Sequence, residues 1–110
     1  MAVVRVKDGV LFTKIAPGGF RILSAIDIAA AAQATDITIS SACDGEHSGP
    51  NDPHHRGEAY DIRTHDQPDK QSLLAAIQLK LGDRFYAFLE DPNTQNEHLH
   101  CQVKKGTVYP

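Results

Sequence analysis

The stretch His54-His55-Arg56-Gly57-Glu58-Ala59-Tyr60-Asp61-Ile62-Arg63 holds a turn and the strand around which the fold is organised. From Ala59 onward the pattern suits a half-buried strand, with Tyr60 and Ile62 alternating with small or charged Ala59, Asp61 and Arg63. A period of two sets Tyr60 and Ile62 on one face and Ala59, Asp61 and Arg63 on the other, so Asp61 is expected to point away from the core. Gly57 lacks a Cβ, which permits a positive φ and close approach by a neighbouring segment, and small Ala59 suits the same crowded place.

Working outward, residues 36–42, with Ile37, Thr38 and Ile39, read as a central strand feeding a polar loop over 44–53. A loop rising from a strand end is a usual place for a site. Residues 20–34 bring Ile22, Leu23, Ile26, Ala29 and Ala30 to helical spacing. In front of them Val4, Val6, Val10 and Phe12 alternate around Lys7-Asp8-Gly9, which predicts a short hairpin or paired edge strands, ended by Pro17-Gly18-Gly19. Downstream, 68–81 reads as a second helix with Pro68 in its first turn, a stripe of Leu73, Leu74, Ile77 and Leu81, and Gly82 as its stop. Two further strands, 84–90 and 98–104, flank a loop over 91–96. This order predicts one α+β domain across the chain: an antiparallel sheet covered on one side by two main helices.

At 110 residues such a domain buries roughly two thirds of the surface its unfolded chain exposes. A core can then form without disulfides or a structural metal, and any metal is expected to be functional. The 11 basic and 14 acidic side chains give a formal charge of -3, which argues against a protein that works by neutralising phosphates; nucleic acid is not an expected partner. No apolar stretch approaches the ~20 residues a membrane span needs, and Arg5, Lys7 and Asp8 interrupt any signal-peptide pattern. Cys43 and Cys101 match no cysteine-based zinc motif, and their pairing stays open. Lys104-Lys105 is too short for an electrostatic patch.

The histidines carry the chemistry. All six lie from His47 onward, and His54, Asp61 and His100 offer two imidazoles and a carboxylate, the donor set of a catalytic zinc site with its fourth position open to water. Zinc lowers the pKa of a bound water to about 7, and a neighbouring carboxylate can then move its proton; Glu97 is the candidate. His98 shares a strand face with His100 and either lines the cleft as a substrate-binding residue or is simply solvated. His47 is either a turn residue or a second catalytic group. His65 with Asp66 reads as loop and helix-cap chemistry.

The pattern His-x-x-Gly-x-Ala-x-Asp (His54, Gly57, Ala59, Asp61), followed by Glu-x-x-His (Glu97, His100), resembles the zinc D-Ala-D-Ala carboxypeptidase and dipeptidase family, which includes phage endolysin peptidases. Asp44-Gly45-Glu46-His47-Ser48, Asp61-Ile62-Arg63-Thr64 and His98-Leu99-His100-Cys101-Gln102-Val103 also resemble the Hedgehog signalling domain, which shares that fold and zinc site. The resemblance implies zinc held by His54, Asp61 and His100, with Glu97 as general base. Two departures stand out. The family often carries an arginine where this chain reads Ser41-Ala42-Cys43-Asp44, which moves the substrate-polarising role towards His47, and often a serine where Asp52 stands. Strand alternation turns Glu97 away from His100 unless it sits on a bend, so Glu90 is held in reserve, at a point comparable to the acidic residue of the Hedgehog pattern.

The implied function is a monomeric zinc metallopeptidase that hydrolyses peptidoglycan stem or cross-bridge peptides. It would be of phage or prophage type, made without a signal peptide and acting at the bacterial cell wall. The rival expectation is a catalytically inactive, zinc-stabilised binding module, such as a phage tail component or a Hedgehog-like domain.

Overall fold

The computed structural model describes residues 2–45, 47, 49 and 51–105. Its elements run β1 (Val4–Val6), α1 (Pro17–Gln33), β2 (Ile37–Ser41), β3 (Ala59–Arg63), α2 (Lys70–Leu81), β4 (Phe85–Glu90) and β5 (His98–Val103). They form a single α+β domain with two helices and an open five-stranded sheet in the order β1-β2-β3-β5-β4.

The sheet is mixed rather than antiparallel. β2, β3, β5 and β4 pair antiparallel, but β1 pairs with β2 in parallel. The expected N-terminal hairpin therefore does not form: β1 and β2 are joined through α1, and a crossover of that length returns the chain in the same direction. Lys7 still closes a turn, accepting from the Val10 amide at 3.2 Å, while its own amide donates to Ile39 O at 3.0 Å.

Pro17-Gly18-Gly19 opens α1 instead of closing the segment before it. Proline at the first helical position loses no hydrogen bond, since that N–H has no partner within the helix. Asp69 caps α2, its side chain accepting from the Ser72 amide at 3.0 Å, so Pro68 lies ahead of the cap and His65-Asp66 outside it. Gly82 ends the helix, its amide donating to Gln78 O.

Both helices lie on one face of the sheet. Ile22, Ile26, Ala29 and Ala30 of α1 and Leu73 and Ile77 of α2 join Ile37, Tyr60, Ile62, Leu99 and Cys101 in one core. Each fully buried aliphatic contributes about 1.5–3 kcal/mol of transfer free energy. Tyr60 is fully buried, donates to Gly57 O at 3.3 Å, and has its phenol pushed up to about 12 by that burial and by Cys43. Alternation sends Asp61 and Arg63 to the opposite face. On β2 two residues oppose one of β3 between Ile39 and Ser41, and this bulge sets Ser41 across from Asp61.

The loop before β3 is clamped to the chain entering α1. Gly57 has φ +72°, and a Cβ there would stand 2.6 Å from Lys14 O; a Cβ on Gly19 would meet Gly57 O at 2.1 Å. The Ala16 amide donates to that same Gly57 oxygen at 3.1 Å. Gly57→Ala should cost about 2–4 kcal/mol, from a strained φ together with a backbone clash. A urea midpoint within error of the parent's would show that this contact carries no such constraint.

Candidate metal centre

Three segments converge on the face of the sheet away from the helices: β3 brings Asp61, β5 brings His98 and His100, and the loop from Ala42 to Glu58 brings His54 and His47. Asp52 builds the turn that delivers His54, its Oδ1 accepting from the His54 amide at 2.9 Å. Asp44 holds the start of the loop, accepting from the Ala42 and Leu11 amides.

Asp61 Oδ1 lies 2.9 Å from His100 Nδ1, 3.3 Å from His54 Nε2 and 3.6 Å from His98 Nε2. Donors held at 2.0–2.2 Å on one tetrahedral ion stand about 3.3–3.6 Å apart, which the His54 and His98 distances meet, whereas the 2.9 Å between His100 and Asp61 is that of a hydrogen bond. His54, Asp61 and His100 are buried, and His98 is partly so. The outer nitrogen of each ring is occupied: His54 Nδ1–H donates to Ala42 O at 3.0 Å, His100 Nε2–H to Gln102 Oε1 at 2.6 Å, and His98 Nδ1–H to Asn96 O. In neutral imidazole one nitrogen donates and the other carries a lone pair, so with the outer bonds made the inner nitrogens of His54 and His100 face Asp61 Oδ1 either as lone pairs or, once protonated, as donors, while His98 Nε2 lies nearer Glu90 Oε1, at 2.8 Å, than Asp61. Only a cation or shared protons satisfy that arrangement. The outer bonds are also what metal-ligating histidines usually make.

Asp61 is shared by two groups whose donor atoms lie close enough to hold a metal ion, one with His47 and His54 and one with His98 and His100, so the structure brings His54 and His100 each to Asp61 but divides them between the two groups. Burial alone would raise the Asp61 carboxyl, but hydrogen bonds from His100 and His54 and the nearby His54 and His98 reverse this and hold it well below the usual carboxylate range. Burial lowers His100, yet Asp61 and Gln102 outweigh it and raise the ring, so metal and proton compete for this place. Cys101, on the core face, is pushed up to about 12 by burial and Asp61. Both cysteines are free thiols.

His47 is exposed and stacks on His54 with ring centroids 3.8 Å apart and planes within 2°, its Nε2 3.1 Å from Ser41 Oγ. Its φ of +48° places it in the left-handed region. Its nitrogens come within reach of the same ion position as those of His54 and the oxygens of Asp61. Its chain neighbours Glu46 and Ser48 fall outside the described residues.

Glu97 sits where alternation puts it, on the Leu99 side of β5 and against the start of α2. Its oxygens accept from Lys70 Nζ at 2.8 and 2.9 Å, Thr64 Oγ1 at 2.7 Å and the Asn93 amide at 2.8 Å. The inward bend expected of a general base is not what the structure shows for this residue. Glu90 is the carboxylate beside the histidines: it pairs with His98 across the β4–β5 ladder, and its Oε1 lies 2.8 Å from His98 Nε2. The Glu97 clasp went unforeseen, because Thr64 and Lys70 give no local signal of a shared partner far along the chain.

A cleft of about 410 Å³ opens beside Asp61 and His98, with Ser41, Arg63, His65 and the clasped Glu97 also on its wall. Comparisons of the chain with protein families, curated proteins and solved structures find no match.

Zinc should bind at one ion per chain and raise the melting temperature, by about 2.7 kcal/mol of stability at a free concentration 100 times its Kd. Asp61→Ala and His54→Ala should each weaken binding about 10²-fold or more, given that even supporting residues around a metal typically cost 10–100-fold. Titration calorimetry giving the parent's affinity for either variant would remove that residue from the site.

The Glu97 clasp predicts behaviour in acid. The Asn93 amide, Lys70 and Thr64 hold its carboxyl at about 2, against an unfolded value near ~4.3. A lowered folded value means that the stabilisation is complete above the unfolded value and lost as pH falls through the folded one. Urea midpoints should fall between about pH 4.3 and about 2, and Glu97→Gln should flatten that decline and lower the plateau above it. An unaltered acid profile in the variant would contradict the clasp.

Proposed function

We propose that the chain is a zinc metallopeptidase acting on peptidoglycan stem or cross-bridge peptides, with the finer fold of the D-Ala-D-Ala peptidases and the Hedgehog signalling domain. The observation that carries the reading is the convergence of His54, His98 and His100 on Asp61 Oδ1 at the wall of a cleft, with the Glu90 carboxylate on the far side of His98. Imidazole and carboxylate donors suit zinc better than calcium or magnesium, which prefer oxygen alone. Zinc, when bound, supplies Lewis acidity towards a carbonyl and an acidified water.

The remaining work falls to the chain's own residues. His54, Asp61 and His100 would hold the ion, each ring kept in one tautomer by its outer acceptor. Glu90, part-exposed and bonded to His98, takes a proton from the attacking water and returns it to the leaving amine. His47, stacked on the solvent side of His54, stands where it can donate to the carbonyl oxygen that gains charge. His98 orients Glu90 and borders the bound peptide. In this reading the chain works as a monomer at the bacterial cell wall, as a lytic or remodelling enzyme of phage or prophage type. Among the described residues no helix is long and apolar enough to cross a membrane.

Incubation with defined peptidoglycan fragments, with and without a chelator, and mass spectrometry of the products test the activity. Glu90→Gln should keep fold and zinc yet lower turnover by about 10² or more, the usual scale for a general acid–base group. Glu97→Gln should act mainly through stability. The reverse order would return the proton transfer to Glu97. If the zinc-loaded parent cleaves no wall peptide, the inactive zinc-stabilised binding module takes the reading's place.

A further inference from the structure

Beside the two groups that share Asp61, a third set of donors comes together: Glu90 at the end of β4, Asp91 directly after it, and His98 of β5, their ligand atoms within 4.8 Å of one another. Asp91 and His98 both line the cleft. His98 Nδ1 bonds to the Asn96 carbonyl, which can only accept, so this nitrogen carries a proton and the lone pair of neutral His98 is on Nε2. That lone pair faces Glu90 Oε1 at 2.8 Å. Two acceptors so placed need a proton or a cation between them. Among the described residues, the one basic partner of these carboxylates within 4 Å is His98 itself. On a regular strand Asp91 would face away from Glu90; its φ of +50° breaks that alternation and brings its carboxylate within reach of His98. The turn is held from outside the group: Asp91 O accepts from Thr94 Oγ1 at 2.7 Å, and the Asn93 amide donates to the clasped Glu97 at 2.8 Å.

We propose that Glu90, Asp91 and His98 form a second zinc position, filled only above the one ion per chain expected at Asp61, and that filling it switches hydrolysis off. One imidazole and two carboxylates suit a transition-metal dication such as zinc better than calcium, which takes oxygen alone. This position has one nitrogen donor where the first has two, and its Asp91 is exposed while its Glu90 is part-exposed, so it binds the more weakly. Donors on one zinc ion stand about 3.3 Å or more apart, and the part-exposed Glu90 side chain is free to turn by the few tenths of an ångström that admit the ion. An ion held by Glu90 occupies the electron pair that would take the proton of the attacking water. It also stands close to the first, since His98 Nε2 is 3.6 Å from Asp61 Oδ1. His47 offers no equal alternative, because its group draws on His54 and Asp61, which the first ion uses. The effect on turnover rests on the peptidase reading above; the ion position does not.

Zinc is titrated into the purified, metal-free chain by calorimetry, with native mass spectrometry to count the ions. One ion should bind first and a second at least about tenfold more weakly. Asp91→Asn is the deciding variant, because asparagine tolerates the same left-handed backbone and Asp91 takes no part in the hydrolysis. It should leave the first ion, and turnover at one equivalent, unchanged. It should weaken the second ion at least about tenfold, the least that even a supporting residue around a metal typically costs. His54→Ala should weaken the first ion and keep the second. With wall-peptide fragments, turnover of the parent should rise up to one equivalent of zinc and fall as the second binds, and Asp91→Asn should need at least about tenfold more zinc for the same fall. Binding that ends at one ion, or a second ion held as tightly by Asp91→Asn as by the parent, overturns the position. Parent turnover that holds steady while the second ion binds overturns the switch and leaves the peptidase reading standing. If the zinc-loaded parent cleaves no peptide at all, the peptidase reading and the switch fall together, and the Asp91→Asn calorimetry decides the position by itself.

Discussion

A carboxylate taken out of water must be paired or ligated, and Asp61 meets that condition through imidazole nitrogens that reach it from β5 and from the loop before β3. The rest of the site follows from satisfying that one oxygen. Each ring has its free rotation removed by an acceptor on its far side, and those acceptors come from different places: the Ala42 carbonyl at the end of β2, the Gln102 amide two residues along β5, and the Asn96 carbonyl in the loop before it. Loss of any one of them would let a ring turn. The electron pairs it aims at Asp61 would then no longer converge.

Among the described residues, the loop that carries His54 has turns but no strand ladder of its own. Its position is set by Asp52 and Asp44 from within and by the contact of Gly57 with Lys14 and Ala16 from outside. The segment that enters α1 is therefore part of the support of the site, although it contributes no ligand. This couples the helix layer to the opposite face of the sheet at a place where backbones meet without side chains between them. Such a contact tolerates no added atom, so the packing of the α1 entry and the placing of His54 stand or fall together.

The division of labour between the two acidic candidates follows from strand geometry. β5 places His98 and His100 on one face, so a residue immediately before His98 belongs to the other face, beneath which α2 begins with Lys70. Glu97 becomes the anchor of the loop between β4 and β5. Glu90, in register with His98, belongs to the histidine face. The residue nearest in sequence to a ligand is here the one turned from it, and the nearer carboxylate in space comes from the neighbouring strand.

Local pattern was enough to read the element order, the strand 59–63 with Asp61 opposite the core, the second helix with its Gly82 stop, and the clustering of histidines, because each depends on periodicity or on residues close in the chain. The parallel pairing of β1 with β2 was not legible: Val4 and Val6 pair with Ile37 and Ile39 through the crossover of α1, and alternation alone does not give strand direction. Pro17-Gly18-Gly19 reads equally as a stop and as a start, and the choice was made by the close approach of Gly19 to Gly57. The grouping of Asp61 with His54, His98 and His100, the clasp on Glu97 and the pairing of Glu90 with His98 were decided by tertiary structure. These are relations between strands and loops far apart in the chain, fixed by sheet register and by the satisfaction of buried charge, for which no single stretch of sequence carries the information.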